Sequence, residues 1–276
     1  YDQLCKESAK YDAVMVGSDQ LWAPGGITSN FYNLMFADEN TTKISYAASF
    51  GVSQIEEKMH PLYKKFLDRM DYISVRENSG KKLVEQLSSK TAEVVVDPVL
   101  LLNDKEWLEE IPNEREYDEP YIFAYFLGKS KEYRNAVTEF AKKKNLKIVT
   151  SHHMDSYNKV DENFGDYAPF DVGPAEFVNL IRNAEYVFTD SFHGSVFSML
   201  YQKQFLVFTR YAENSMSSKN SRIDSFCENY GLTDRRYNGD IKAVDNEIEY
   251  NSVLERVEEH RQKSRAFLDN ALADFC

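Results

Sequence analysis

Between Glu185 and Tyr201 the sequence reads EYVFTDSFHGSVFSMLY, and Asp190, Ser191, Phe192, His193, Gly194 and Ser195 fall together at its centre. A carboxylate, two hydroxyls and an imidazole in one short turn are a set that can move protons near neutral pH. Gly194 and Ser195 are small enough to let a ligand approach the backbone. The N–H groups of a helix opening there would also favour an anion. The same residues suit a capped helix with a buried, satisfied histidine, and local chemistry does not choose between the two. Arg76, in YISVREN, offers a planar fork of donors to a carboxylate or phosphate, although alone it reads as a surface salt bridge. Ser18, Asp19 and Gln20 in VGSDQLW, Ser49 in YAASFG, Arg210 after QFLVFT and Arg222 in NSRIDSF complete the candidate contacts.

These groups fall where strands run out. Tyr186–Thr189 is a β-favouring, mostly apolar run suited to a strand buried on both faces. Val196, Phe197, Met199 and Leu200 then recur at helical spacing, which predicts a helix from Gly194 onward. A turn that leaves the carboxyl end of a parallel strand is where open α/β sheets bind ligands. Asp19 and Gln20 follow a predicted strand at Ala13–Val16 and occupy the same kind of position. The stretch from Lys43 to Gly51 predicts a strand, and Ser53 then caps an expected helix through Met70, with Ile55, Met59, Leu62, Phe66 and Met70 inward. Arg76 stands where the strand in DYISV runs into a helix ending near Ser88. AEVVVDPVLLL, Ala92 to Leu102, gives a further apolar strand stopped by Asp97 and Pro98.

PNEREYDEP, residues 112–120, is charged, proline-bounded and aperiodic, and reads as an interdomain linker. A second alternation follows: strand 121–126, helix 131–144, strand 147–150, helix 175–184, the key turn, strand 204–209 and helix 223–230. The loop 211–221 is polar and serine-rich, a flap in expectation. The tail, 244–275, reads as one or two helices. The fold class expected is therefore α/β, with two Rossmann-like domains over residues 1–115 and 116–276 facing across a cleft, which would be the default site.

Composition narrows the function. A net charge of −12 argues against a nucleic-acid surface but not against a small anion held by a few arginines in one cleft. Cys5, Cys227 and Cys276 form no metal-type or redox-type pair, which fits a reducing cytoplasm. No apolar run approaches the roughly 20 residues needed to cross a bilayer. His152, His153 and Asp155 lack the spacing of a metal motif, so no metal is expected. Some of the eighteen tyrosines and eighteen phenylalanines are candidates to stack on sugar rings, the rest to build the core. The chain starts at Tyr1 without Met and soon enters a buried-type strand, so the expectation is that material preceding it is missing.

Four segments in order, YDAVMVGSDQLW, KISYAASFG, YISVREN with VVVDP, and FVNLIRNAEYVFTDSFHGSVFSMLY, resemble the polysaccharide pyruvyl transferase family from Tyr11 to about Asp234. The resemblance implies a fold similar to two-domain GT-B-like glycosyltransferases, with an N-terminal domain incomplete at its start. It implies transfer of the pyruvyl group of phosphoenolpyruvate onto two hydroxyls of a saccharide, free or lipid-linked, as a cyclic ketal, with no cofactor. It places the work in the bacterial cytoplasm, free or at the inner face of the membrane, in building exopolysaccharide or cell envelope. By position the family's histidine falls on His193 and its arginine on Arg76, as the catalytic pair, with N–H groups at Gly194 and Ser195 taking up phosphate charge. Characterised members often carry an arginine two residues before the histidine, where this chain has Ser191. That departure leaves open Arg210 as a substitute, a nucleotide-sugar glycosyltransferase, or a ligand-binding relative without catalysis.

Overall fold

A computed structural model describes residues 1–152, 157–211 and 220–275. Strands and helices alternate as expected, with two helices the sequence reading does not include, Asp2–Ser8 and Asp104–Glu110, and a fourth strand reduced to two residues. After α1 (Asp2–Ser8) come β1 (Ala13–Val16), β2 (Thr42–Ala48), α2 (His60–Leu67), β3 (Tyr72–Val75), α3 (Asn78–Leu87), β4 (Glu93–Val94) and α4 (Asp104–Glu110). Then follow β5 (Tyr121–Tyr125), α5 (Lys131–Lys144), β6 (Lys147–Thr150), α6 (Pro174–Arg182), β7 (Tyr186–Thr189), α7 (Phe192–Leu200), β8 (Gln204–Val207), α8 (Ser221–Tyr230) and α9 (Tyr250–Leu272). They form two four-stranded sheets, ordered β1-β2-β3-β4 and β6-β5-β7-β8, and every strand pairing is parallel. This is the α/β class with two Rossmann-like halves.

The chain divides into one compact unit of Tyr1–Leu101, Glu213–Phe226 and Arg256–Cys276, and a second of Leu102–Ala212 and Cys227–Glu255. The sequence expectation was a single boundary at residue 115. The segment 112–120, read as a linker, is instead fastened to the second unit by side chains of α6 and the residue that follows it. Asn179 donates to the carbonyl of Pro112 at 3.1 Å, Arg182 to that of Ile111 at 3.0 Å, and Asn183 to the Asn113 side chain at 2.9 Å.

Each sheet is buried on both faces, which is why its strands read as apolar runs rather than alternations. In the first unit, Trp22, Phe50, Tyr63, Phe66 and Leu83 build the core on one face. On the other, Phe267 and Ala271 of α9 join Ile44, Tyr46 and Val95. In the second, neighbouring Ile122 and Phe123 of β5 are both fully buried.

Two expected helix starts move. α2 opens at His60 with Pro61 in its first turn, not at Ser53. Proline fits that position because its missing N–H would be unbonded there anyway, while Ile55 and Met70 stay buried from outside the helix. α7 opens at Phe192, with Ser191 as its cap, so Phe192 and His193 lie in its first turn. The flap expected at 211–221 lies outside the described residues over 212–219, as do His153, Asp155 and Cys276.

Candidate functional site

In the second unit the chain runs from β5 outward to β6, then returns to β7 on the other side of β5. The strand order therefore reverses between β5 and β7, and the carboxyl ends of such a pair frame the crevice where open α/β sheets take ligands. Leu127 and Gly128 follow β5 there, and Asp190 to His193 follow β7. The Asp190 carboxylate accepts from the N–H of Leu127 at 2.7 Å and of Gly128 at 2.8 Å. A Cβ on Gly128 would lie 2.7 Å from Asp190 Oδ2 and 3.5 Å from Arg210 Cγ, so only glycine admits this contact. Burial pushes the Asp190 carboxyl above its ordinary range, opposed by the two N–H bonds and by the charges of Arg210 and Arg134.

The turn itself is fastened inward. Thr189 Oγ1 donates to the Tyr125 carbonyl at 2.7 Å and accepts from the N–H of Ser191 at 3.0 Å. Ser191 Oγ accepts from the N–H of Gly194 at 3.3 Å, as an N-cap does. The N–H of Ser195 meets the Ser191 carbonyl at 3.0 Å, and its hydroxyl donates to the same carbonyl at 2.8 Å. A Cβ on Gly194 would sit 2.7 Å from Thr189 Oγ1. Gly194 is therefore small so that helix and strand can meet, and the amides of Gly194 and Ser195 are bonded within the turn. This corrects the expectation that these two residues admit a ligand and offer their amides to phosphate. Asp190, Ser191, Gly194 and Ser195 are buried, whereas His193 and Arg210 are half-buried. The Phe192 ring meets the imidazole edge-to-face at 5.4 Å.

In the first unit the candidates gather at the carboxyl ends of β1, β2 and β3. Arg76 is not a surface residue, since its side chain is 1% exposed. Its Nη1 binds Asp97 Oδ2 at 2.7 Å and Ser18 Oγ at 3.3 Å, and its Nη2 binds Asp19 Oδ1 at 3.0 Å. Ser18 also donates to Asp97 at 2.9 Å. The fork expected for a substrate carboxylate is thus committed to carboxylates of its own unit. Glu77 accepts from Ser49 Oγ at 2.8 Å and from the N–H of Phe50 at 3.1 Å. Burial pushes its carboxyl up, with Arg76 and the Ser49 bond opposing. Gln20 lies against Gly51, 3.4 Å from where a Cβ would stand. Arg222 Nη1 comes within 4.0 Å of Asp19 Oδ1. Asp19 is the exposed member, and it holds a left-handed backbone with φ 77°. Aspartate is among the residues that adopt this conformation most readily.

Sequence reasoning missed Glu77, Gly128 and the buried pair of Arg134 and Asp161, whose Nε and Oδ1 lie 2.6 Å apart. The signal was present only for Arg134, a cation on the inward stripe of α5 with Val137, Phe140 and Ala141. Among the described residues, no three metal-ligating side chains come together and no helix is long and apolar enough to cross a membrane.

A sequence model of the polysaccharide pyruvyl transferase family matches residues 1–211. No curated protein matches the chain. Among solved structures, a UDP-N-acetylglucosamine 2-epimerase described as putative, from Listeria monocytogenes, aligns at 13% identity with a TM-score of 0.59, covering 99% of this chain and 78% of that one. A UDP-N-acetylglucosamine 2-epimerase from Rickettsia bellii aligns at 14% identity with a TM-score of 0.55, covering 99% and 76%. At such identities the likeness is one of fold, that of the GT-B-type enzymes.

Proposed function

The chain belongs to the polysaccharide pyruvyl transferase family, and from that premise we propose that it moves the pyruvyl group of phosphoenolpyruvate onto two hydroxyls of a glycan. The observation that carries the reading is a half-buried imidazole in the first turn of α7, at the point where the second sheet reverses its strand order. Two acceptor O–H bonds, the π bond between C2 and the methylene carbon and the bond from C2 to the phosphate oxygen break, while two C–O bonds form at donor C2. One proton ends on the methylene carbon, which becomes methyl, and the other leaves with inorganic phosphate. His193 is assigned the acid that protonates the departing phosphate. Arg210 supplies positive charge beside it, in place of the guanidinium that Ser191 does not provide. In the first unit, the Arg76 guanidinium holds Ser18 and Asp19 in place. The reading includes a cytoplasmic reaction on a glycan precursor, free or lipid-linked.

The test is phosphate release from phosphoenolpyruvate, with the ketal detected by mass spectrometry, over a panel of glycans bearing neighbouring hydroxyls. His193→Ala should lower turnover about 10²–10⁴-fold, the usual worth of a general acid, without lowering the melting temperature. Absence of phosphate release across the panel overturns the assignment. The shared fold with UDP-N-acetylglucosamine 2-epimerases supports a second reading, in which a nucleotide sugar is the donor. That reading requires uridine diphosphate, and not phosphoenolpyruvate, to raise the melting temperature.

A further inference from the structure

Three elements converge on one peptide of the second unit. Gly128 donates its N–H to Asp190. Its carbonyl accepts from Arg134 Nη2 at 2.9 Å and from Asn158 Nδ2 at 3.4 Å. Arg134 Nη1 also takes the carbonyl of Ser130 at 2.9 Å. One guanidinium thus binds the residues on either side of Lys129, an exposed cation. Arg134 is 3% exposed, with its Nε on Asp161 Oδ1 at 2.6 Å. It lies over the rings of Phe126 and Phe164 at 5.3 and 5.8 Å.

A buried arginine–aspartate pair is a poor device for stability, because the cost of stripping water from both ions offsets much of their attraction. A well-packed apolar side chain would hold α5 in place as well. What an apolar side chain cannot do is fix the direction of two main-chain carbonyls. A planar guanidinium does this with little rotational slack. The peptide it fixes stands where β5 and β7 part, one hydrogen bond from the residue that opens the His193 turn.

We infer that Arg134 is a positioning residue for the transfer: it orients the Gly128–Lys129–Ser130 loop so that Lys129 meets the dianionic donor. The inference rests on the proposed transferase reading. Arg134 touches no reacting atom, so its removal acts through the loop.

The experiment compares wild type with Arg134→Lys, Lys129→Ala and the double variant. The readouts are steady-state kinetics in phosphoenolpyruvate, melting temperature, and amide hydrogen exchange across residues 127–130. Lysine keeps the charge but cannot span two carbonyls and Asp161 in one plane. Arg134→Lys should raise the donor KM about tenfold, a size expected when a contact group is misplaced by a fraction of an ångström. It should also speed exchange in the loop. Lys129→Ala should raise KM similarly, and the double variant should be no worse than the worse single, since both remove one contact. An unchanged donor KM in Arg134→Lys, unchanged loop exchange, or full additivity overturns the inference. A fall in melting temperature with KM unmoved would make Arg134 a structural residue only. Wild type inert toward phosphoenolpyruvate sinks the transferase reading as well, whereas turnover with an unmoved KM sinks this inference alone.

Discussion

Arg76 in the first unit meets side-chain carboxylates, Asp97 at 2.7 Å and Asp19 at 3.0 Å. In the second unit the partners are mostly main chain: Asp190 takes the amides of Leu127 and Gly128, and Arg134 the carbonyls of Gly128 and Ser130, with one carboxylate, Asp161, on Arg134 Nε at 2.6 Å. The first arrangement ties loops together through charge, so each ion depends on the others for the cost of its burial. The second ties a loop by its backbone, so its shape is set regardless of the loop's own side chains except at Gly128, where a Cβ has no room. Loss of a partner should therefore show as lost stability in the first unit and as lost geometry in the second.

Asp97→Ala tests the first half and carries the largest effect. It leaves the Arg76 guanidinium buried beside an empty place, which costs about 3–5 kcal/mol when one member of a buried pair is removed. Urea denaturation measures it, and a loss under about 1 kcal/mol, the worth of an exposed pair, would mean that the cluster behaves as a surface network.

Gly128→Ala tests the second half. The added methyl must displace Asp190 Oδ2, at a cost of about 1–3 kcal/mol for an overpacked site. Turnover should fall by more than stability explains, because the loop moves with the carboxylate. Wild-type kinetics in this variant would show that the loop plays no part in the reaction.

The smallest effect is in pH. Burial holds the Glu77 carboxyl above its ordinary 4.5, so the folded chain binds this proton more tightly than the unfolded one. The stability this provides is complete below the unfolded value and is lost as pH rises through the folded value. Glu77→Gln removes that dependence and preserves the acceptor for Ser49 and Phe50. Melting temperatures of the two proteins, followed upward from pH 4, should diverge with wild type losing ground. A constant difference would show that Glu77 titrates alike folded and unfolded.

Much of the fold was legible because strands buried on both faces are apolar throughout and helices repeat. Residues 131–144, 147–150 and 186–189 fall within the elements the pattern predicts. The start of α2 was not legible, since Ile55 and Met70 keep helical spacing but satisfy burial from loops. The turn at Asp190 stood out in the sequence, while the roles of its residues did not. Glycine at 194 reads alike whether it makes room for a ligand or for Thr189. Glu77 escaped for a different reason, since its partner Ser49 lies 28 residues away, and for Arg134 the inward stripe of α5 showed its burial but not its partner Asp161, 27 residues on.

The far face of the first sheet, where Ile44 and Tyr46 meet Phe267 and Ala271 of α9, bears on the order in which the protein can be born. Strands made early must wait on the ribosome for more than two hundred residues before their cover emerges. An aromatic and aliphatic surface left bare for so long invites aggregation. Cells making this protein should hold its nascent chains on a chaperone until α9 has been translated.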